Sequence, residues 1–365
     1  MKIAVLTSSR ADYSIYFPLL KLLKADNFFD LKIIAFGTHL SSDFGNTVDH
    51  IIKDGFEVEH RIPLTLKFDS PLEITKLISS TISLFADFWA NNSFDWIIAL
   101  GDRYEMFAAV CATIPFNLKV AHIHGGETTL GAIDNVFRHS ISHMSQLHFT
   151  SCDTYKNRVI ELIGDSKNIY NVGALSIDNL TYLKLYTIEE FSELFNYDIS
   201  KPFILITIHP ETVTYDKNLE YINIFIQALE AIEGYNLVIT MPNADTAGNL
   251  MRTQLQNFLS KATNAIGFES LGTIGYLSCM KYCSMLLGNS SSGFVEAAYF
   301  PKYVVNVGDR QKGRVITKNI IEVSFEKEEI ISAIKKIKKS GQPEVIPMYG
   351  NGHASDKIIE ILKSQ

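Results

Sequence analysis

Asp95-Trp96-Ile97-Ile98-Ala99-Leu100-Gly101-Asp102-Arg103 and, a little further on, Lys119-Val120-Ala121-His122-Ile123-His124-Gly125-Gly126-Glu127 decide the fold. Each is a short apolar run that stops at glycine and turns charged. Working outward, similar runs stand at Lys2–Leu6, Leu31–Phe36 and His148–Ser151, with amphipathic stretches between them. These include Tyr16-Phe17-Leu19-Leu20-Leu23 at helical spacing and the longest, Leu72–Ala90. Strand-length runs alternating with helical patterns mark βα units around a parallel sheet. A second series follows Gly173, with strands expected at Phe203–Ile208, Asn236–Met241, Ala265–Phe268, Met285–Leu287 and Tyr303–Val307. Helices are expected over Leu219–Ile232, Ala247–Leu259, Ile274–Cys283 and Gly293–Phe300. The polar, poorly periodic stretch Thr187–Lys201 suits a boundary. The expected organisation is a first α/β domain over 1–175, a second over 176–350, and a last helix near Ala354–Leu362 that packs back on the first half.

Composition narrows the function classes. The chain has 365 residues, 47% apolar and 20% charged, enough for two cores and too apolar for disorder. Its four cysteines, Cys111, Cys152, Cys279 and Cys283, form no CxxC pair and are too sparse for a disulfide framework, so a reducing compartment is expected. The opening apolar run is short for a signal peptide and no stretch reaches membrane-span length, so the expected location is cytoplasmic. A net charge of -7 argues against a nucleic-acid footprint but leaves room for a local basic pocket.

In open α/β sheets, ligands collect at the carboxyl ends of strands, so the informative residues follow each strand. After the first comes Thr7-Ser8-Ser9-Arg10 rather than Gly-x-Gly-x-x-Gly, and no Walker Gly-Lys-Ser/Thr occurs. Dinucleotide oxidoreductases and P-loop enzymes are thereby disfavoured. Arg10 has the planar donor fork that suits a phosphate. Asp102, Glu127 and Asp134, with Arg103 and Arg138, arrive at one sheet edge. A lone Asp after a strand is usually a helix cap, but three carboxylates beside a double glycine suggest acid/base chemistry. His139 and His143 have a metal-compatible spacing, yet Ser140 stands where a zinc hydrolase would carry glutamate. No metal site is expected.

In the second half, one strand ends in His209-Pro210-Glu211 and the next in Met241-Pro242-Asn243. Gly288-Asn289-Ser290-Ser291-Ser292-Gly293 precedes a helix carrying Glu296. Hydroxyls and unpaired N–H groups at a helix N-terminus would seat a diphosphate, with Glu296 on ribose hydroxyls. Gly308-Asp309-Arg310-Gln311-Lys312-Gly313-Arg314 brings positive charge beside it. His209 lacks the Gly-x-Ser-x-Gly elbow that a hydrolase triad would need.

Through these segments the sequence resembles the UDP-N-acetylglucosamine 2-epimerase family. The segments are Arg10-Ala11-Asp12-Tyr13-Ser14, Gly101-Asp102-Arg103, His124-Gly125-Gly126-Glu127, Ile133-Asp134-Asn135 with Arg138-His139, His209-Pro210, Gly288 to Gly293 and Gly308-Asp309-Arg310-Gln311. The non-hydrolysing branch usually has Arg-Arg-Glu-Asn after the histidine. Pro210-Glu211-Thr212 stands here, as in the hydrolysing branch that feeds sialic-type acid synthesis. The resemblance implies a GT-B fold, two Rossmann-like domains with parallel sheets and a ligand cleft. It implies UDP contacts from Arg10, Ser14, Arg103, His209, Asn243, Leu271, Ser290, Ser291, Glu296 and Arg310. The implied catalytic group is Asp102, Glu127 and Asp134, with Arg138 and His209 beside it. The implied reaction releases UDP and N-acetylmannosamine through a 2-acetamidoglucal, with no cofactor. UDP-2,4-diacetamido-2,4,6-trideoxyglucose, of the legionaminic acid pathway, is the alternative substrate, and a GT-B glycosyltransferase the rival activity. A homodimer or homotetramer is expected, with neither nucleic acid nor membrane as partner.

Overall fold

The computed structural model describes all residues except 65–69 and 243–247. Thirteen strands are present among the described residues. They are β1 (Lys2–Thr7), β2 (Asp30–Phe36), β3 (Val58–Ile62), β4 (Trp96–Leu100), β5 (Val120–Ile123), β6 (Leu147–Thr150), β7 (Ile169–Asn171), β8 (Phe203–Thr207), β9 (Asn236–Thr240), β10 (Ala265–Phe268), β11 (Met285–Gly288), β12 (Val304–Val307) and β13 (Ile320–Val323). They form two wholly parallel sheets, ordered β3-β2-β1-β4-β5-β6-β7 and β10-β9-β8-β11-β12-β13. Central strands such as β4 and β5 are buried along their whole length because helices cover both faces, and this explains their unbroken apolar character.

The winding direction reverses once in each sheet. In the first, β1 pairs with β2 on one side and β4 on the other; in the second, β8 pairs with β9 and β11. The residues after β1 and β4, and after β8 and β11, therefore stand where doubly wound sheets bind ligands.

The residues group into two compact units. One comprises Met1–Glu127, Asp134–Tyr182 and Tyr349–Gln365; the other comprises Thr128–Ile133 and Leu183–Met348. Position in sequence places Thr128–Ile133 with the first half. Its hydrogen bonds run to Thr212 and Lys312, which is why it groups with the second unit. The stretch Thr187–Lys201, read as irregular, contains a helix over Ile188–Phe195. Thr187 caps it in a box with Glu190, and Phe191 is its buried anchor.

The first unit's core has two faces. One packs Tyr16, Leu19, Leu23, Ile98 and Phe149 with Ala354, Ile358 and Leu362 of the terminal helix Ala354–Lys363. The other is rich in rings, with Phe36, Phe85, Trp89 and Phe94 in mutual contact distance of their neighbours. Ile206, Phe225, Leu237, Ile239 and Val305 anchor the second unit's core. Cys152, Cys279 and Cys283 are buried, Cys111 is half-buried, and all four are free thiols. Among the described residues no helix is long and apolar enough to cross a membrane.

Two polar contacts fix the helices that border the first site. Pro18 lies inside the helix Arg10–Ala25, where it cannot donate to the carbonyl of Ser14. Asn179 Nδ2 donates to that carbonyl instead, at 2.8 Å. Asp178, fully buried, accepts the N–H groups of Ala354 and Ser355 at 3.0 and 2.6 Å and the Ser355 hydroxyl at 2.6 Å. It thus caps the terminal helix from a distant helix. Asp178→Ala strands these buried donors, each costing about 1–3 kcal/mol, so the first unit should lose about 3 kcal/mol or more in urea unfolding. An unchanged unfolding midpoint would show that the cap carries no stability.

Candidate active site

The first unit presents its candidate residues at the ends of β1, β4 and β5. After β1, Ser9 caps the helix Arg10–Ala25, and Asp12 returns the bond as the other half of a capping box. The Asp12 carboxylate also accepts the Ser8 hydroxyl at 2.6 Å and the Ser8 and Ser9 N–H groups at 2.9 and 3.1 Å. This buried knot fixes the turn from which exposed Arg10 projects. Ser14, half-buried, lies one turn further along. Sequence reasoning did not single out Asp12 for this role, although Ser9-x-x-Asp12 is a legible capping pattern.

After β4, Asp102 is partly exposed and accepts a hydrogen bond from Arg138 Nη2. Arg138 comes from the helix Asp134–Met144 and is only 3% exposed. Its Nε and Nη1 have no hydrogen-bond partner among the described residues. A buried guanidinium with spare donors suits an oxygen-rich ligand. Arg103 follows Asp102 and pairs locally. Its Nε and Nη2 make a two-pronged pair with buried Glu105 at 3.2 and 3.0 Å, which takes two of its five N–H donors.

After β5 the chain turns sharply through His124, whose φ is +65°. Gly126 follows at φ +78°, where a Cβ would stand 2.3 Å from the Tyr155 carbonyl, so only glycine fits. Leu175 N donates to His124 Nε2 at 3.2 Å, which places the imidazole proton on Nδ1, 3.7 Å from Glu127 Oε1. Glu127 is buried and accepts the Ser151 hydroxyl at 2.9 Å. Asp134 opens the helix Asp134–Met144, one turn before Arg138. Tertiary contact thus joins Asp102 to Arg138, and Glu127 to His124 and Ser151.

Two other histidines, His122 and His39, are held by hydrogen bonds within the first unit. His122 Nε2 donates to the Gly101 carbonyl at 2.8 Å and its Nδ1 accepts from Ser142 at 3.0 Å, so it ties β4 to β5 and to the helix Asp134–Met144. His39 lies between the hydroxyls of Thr7 and Thr47 at 2.9 and 2.8 Å. No group of three His, Cys, Asp or Glu is arranged around a metal position among the described residues.

In the second unit, Asn289 after β11 pins the end of β8. His209 N donates to its Oδ1 at 2.7 Å and its Nδ2 donates to the His209 carbonyl at 2.9 Å. The Asn289 carbonyl accepts from Gln311 Nε2 at 2.9 Å, which draws in the loop carrying Arg310. Asn289 and Gln311 were expected only as parts of motifs, and both are buried. Leu271 is buried at the start of the helix Gly272–Tyr282. Asn243 lies outside the described residues.

The serine segment departs from expectation. No helix runs over Gly293–Phe300. A single 3-10 turn covers Ser291–Gly293, and a short helix, Glu296–Tyr299, begins at Glu296 itself. Ser290 Oγ takes the N–H of Ser292, and Ser292 Oγ meets Tyr276 OH at 2.6 Å. Such local bonds compete with a helical ladder. Any diphosphate seat here relies on hydroxyls and local N–H groups, since four residues carry little macrodipole.

The family model described as UDP-N-acetylglucosamine 2-epimerase matches residues 21–363. The chain belongs to this family. It is 37% identical to the GDP/UDP-N,N'-diacetylbacillosamine 2-epimerase (hydrolyzing) of Campylobacter jejuni, over 88% of this chain and 84% of that protein. It is 34% identical to the polysialic acid biosynthesis protein P7 of Escherichia coli, over 91% of this chain and 85% of the other. Its fold superposes on the crystal structure of the Neisseria meningitidis UDP-GlcNAc 2-epimerase bound to UDP-GlcNAc, with a TM-score of 0.84, 20% identity and full coverage of both chains. The two parallel sheets are thus those of a GT-B-like epimerase.

Three buried histidines predict that this epimerase-family chain loses stability in acid. Burial pushes His122 down to about 3, and His39 and His148 each down to about 4, from an ordinary value of 6.5. Below about pH 6.5 the unfolded chain binds protons that the folded first unit refuses, so stability falls as pH drops toward those folded values. Each histidine should contribute up to about 1.4 kcal/mol per pH unit in that window. Urea midpoints taken between pH 7.5 and 5 measure this slope. Equal stability at the two ends would mean that the histidines charge freely in the native state.

Proposed function

We propose that this chain is a hydrolysing UDP-sugar 2-epimerase that converts a UDP-2-acetamido sugar into free UDP and the manno-configured sugar for sialic-type acid synthesis. The observation that carries the reading is the pairing of Asp102 with buried Arg138 at the switch point of the first sheet, with Glu127 after the adjacent strand. A glycosyltransferase on this fold is not favoured, because the family and its relative from Campylobacter jejuni are named as epimerases.

The chemistry accounts for several carboxylates. C2 of the sugar is not next to a carbonyl, so it cannot be inverted by simple enolisation. In the proposed elimination, Glu127 or Asp102 takes the C2 proton. The C2–H electrons form the C1–C2 double bond, and the C1–O pair leaves with UDP. Water then supplies hydroxyl to C1, while a proton reaches the opposite face of C2 with Asp134 as partner in hydration. Acid/base groups are therefore required on both faces of the ring. Arg138 orients Asp102 and offers its spare donors to the sugar. In the second unit, Ser290, Ser291, His209 and Arg310 serve the diphosphate, where donors stabilise developing charge, and Glu296 serves the ribose. Arg10, Ser14, Arg103, Asn243 and Leu271 complete the proposed UDP contacts. No cofactor enters the scheme.

Two substrates are in contention. The name of the Campylobacter jejuni relative supports UDP-2,4-diacetamido-2,4,6-trideoxyglucose, which is UDP-N,N'-diacetylbacillosamine, and hence the legionaminic acid route. The name of the Escherichia coli relative supports sialic acid synthesis and thus UDP-N-acetylglucosamine. Side-by-side turnover of the two nucleotide-sugars decides between them. A cytoplasmic homodimer or homotetramer completes the reading, with light scattering as the measure of assembly.

The purified protein should release UDP without an acceptor, and a stable equilibrium of two intact UDP-sugars would place it with non-hydrolysing enzymes instead. Asp102→Asn, Glu127→Gln and Asp134→Asn should each lower turnover by about 10²-fold or more while UDP binding survives. In deuterated water the product should carry deuterium at C2. Product without it would rule out elimination and hydration.

A further inference from the structure

The loop that presents Glu127 is gripped from strand β6 and from the helix Asp153–Ile163 that follows it. All of these residues belong to the first unit. His124 N donates to the Phe149 carbonyl at 2.8 Å, which ties the start of the loop to β6. Further along, Arg158 Nη1 donates to the Gly126 carbonyl at 2.9 Å, and Gly126 passes the Tyr155 carbonyl too closely for any side chain to intervene. The backbone leading into Glu127 is thereby clamped at both of its turning points.

Ser151 supplies the hold on the side chain. It is fully buried and stands between β6 and Cys152, the N-cap of the helix, which makes no side-chain cap bond. Serine is a preferred N-cap residue, yet here it stands one position too early to serve. Its hydroxyl instead donates to Glu127 Oε1 at 2.9 Å. A buried hydroxyl needs a partner and a buried carboxylate needs donors, so each fixes the rotamer of the other. His124 Nδ1 lies 3.7 Å from the same oxygen, beyond hydrogen-bond length, which leaves Ser151 the closer of the two contacts.

We propose that Ser151 is a positioning residue for Glu127: its hydroxyl fixes where the carboxylate stands, while Tyr155 and Arg158 fix the peptide from which it projects. The catalytic consequence rests on the epimerase reading given above; the placement does not. Proton transfer demands close approach, and a misplacement near 1 Å costs about 10²-fold in rate.

Ser151→Ala removes the donor and keeps the rest of the side chain. Crystal structures of the wild-type chain and of this variant read the placement directly. The Glu127 carboxylate should move by about 1 Å or more, with the backbone of residues 124–127 unshifted. The kcat for UDP release should fall by about tenfold or more, while KM for the UDP-sugar and Kd for UDP stay within about twofold of wild type. A double-mutant cycle adds the test of mechanism. In the Glu127→Gln background, Ser151→Ala should change kcat by less than about twofold, because the hydroxyl acts through the carboxylate. A carboxylate that stays in place in Ser151→Ala overturns the proposal. So does a displaced carboxylate with wild-type kcat. A fall in kcat matched by an equal loss of UDP affinity, or a full further loss in the double variant, overturns positioning in favour of general loosening. If the wild-type protein releases no UDP from either sugar, the epimerase reading falls, and the crystal structures still uphold or refute the placement by themselves.

Discussion

Parallel strands cannot be joined by tight hairpins, so each crossover must carry the chain back over a face of the sheet with the same hand. A sheet that grows outward from its first strand on one side, and then on the other, must part its crossovers at that strand. The first sheet parts between β1 and β4 and the second between β8 and β11. Arg10 and Asp102 follow one parting, His209 and Ser290 the other. The candidate residues are placed by this topological constraint before any side chain is chosen.

Buried carboxylates then serve as staples. Asp12 gathers the Ser8–Ser9 turn, Asp178 caps the terminal helix, and Glu211 collects the N–H groups of Asp309 and Arg310. A carboxylate that accepts several N–H or O–H groups satisfies donors that would otherwise be buried without partners. Such residues hold loops in one conformation, whereas Asp102 is less buried and faces Arg138. Amides do similar work at the second parting, where Asn289 bonds both sides of the His209 peptide group.

Much of the architecture was legible along the chain. The strands buried on both faces, β1, β4, β5, β8 and β9, read as continuous apolar runs because helices cover them on either side. Three of the four edge strands, β3, β7 and β13, did not, because their short runs include polar or exposed positions, whereas the fourth, β10, is apolar throughout and was read. The helix Ile188–Phe195 was hidden by its brevity and polar flank, although Thr187 and Glu190 carry a capping pattern that could have found it. The serine segment misled in the opposite sense, since a helix was expected from Gly293 to Phe300, whereas Ser290 and Ser292 bond one another locally and the helix begins only at Glu296.

The sequence by itself determined the class of fold and the chemical inventory after each strand, because burial on a sheet and punctuation by glycine are local properties of the chain. Tertiary structure alone decided which of those residues work together. Asp102 meets Arg138, Glu127 meets Ser151, and Glu211 meets the Arg310 loop across separations that no spacing rule encodes. It also decided that Thr128–Ile133 packs with the second unit, since that depends on the close backbone approach at Gly131 and on one hydroxyl, Thr212, from far along the chain.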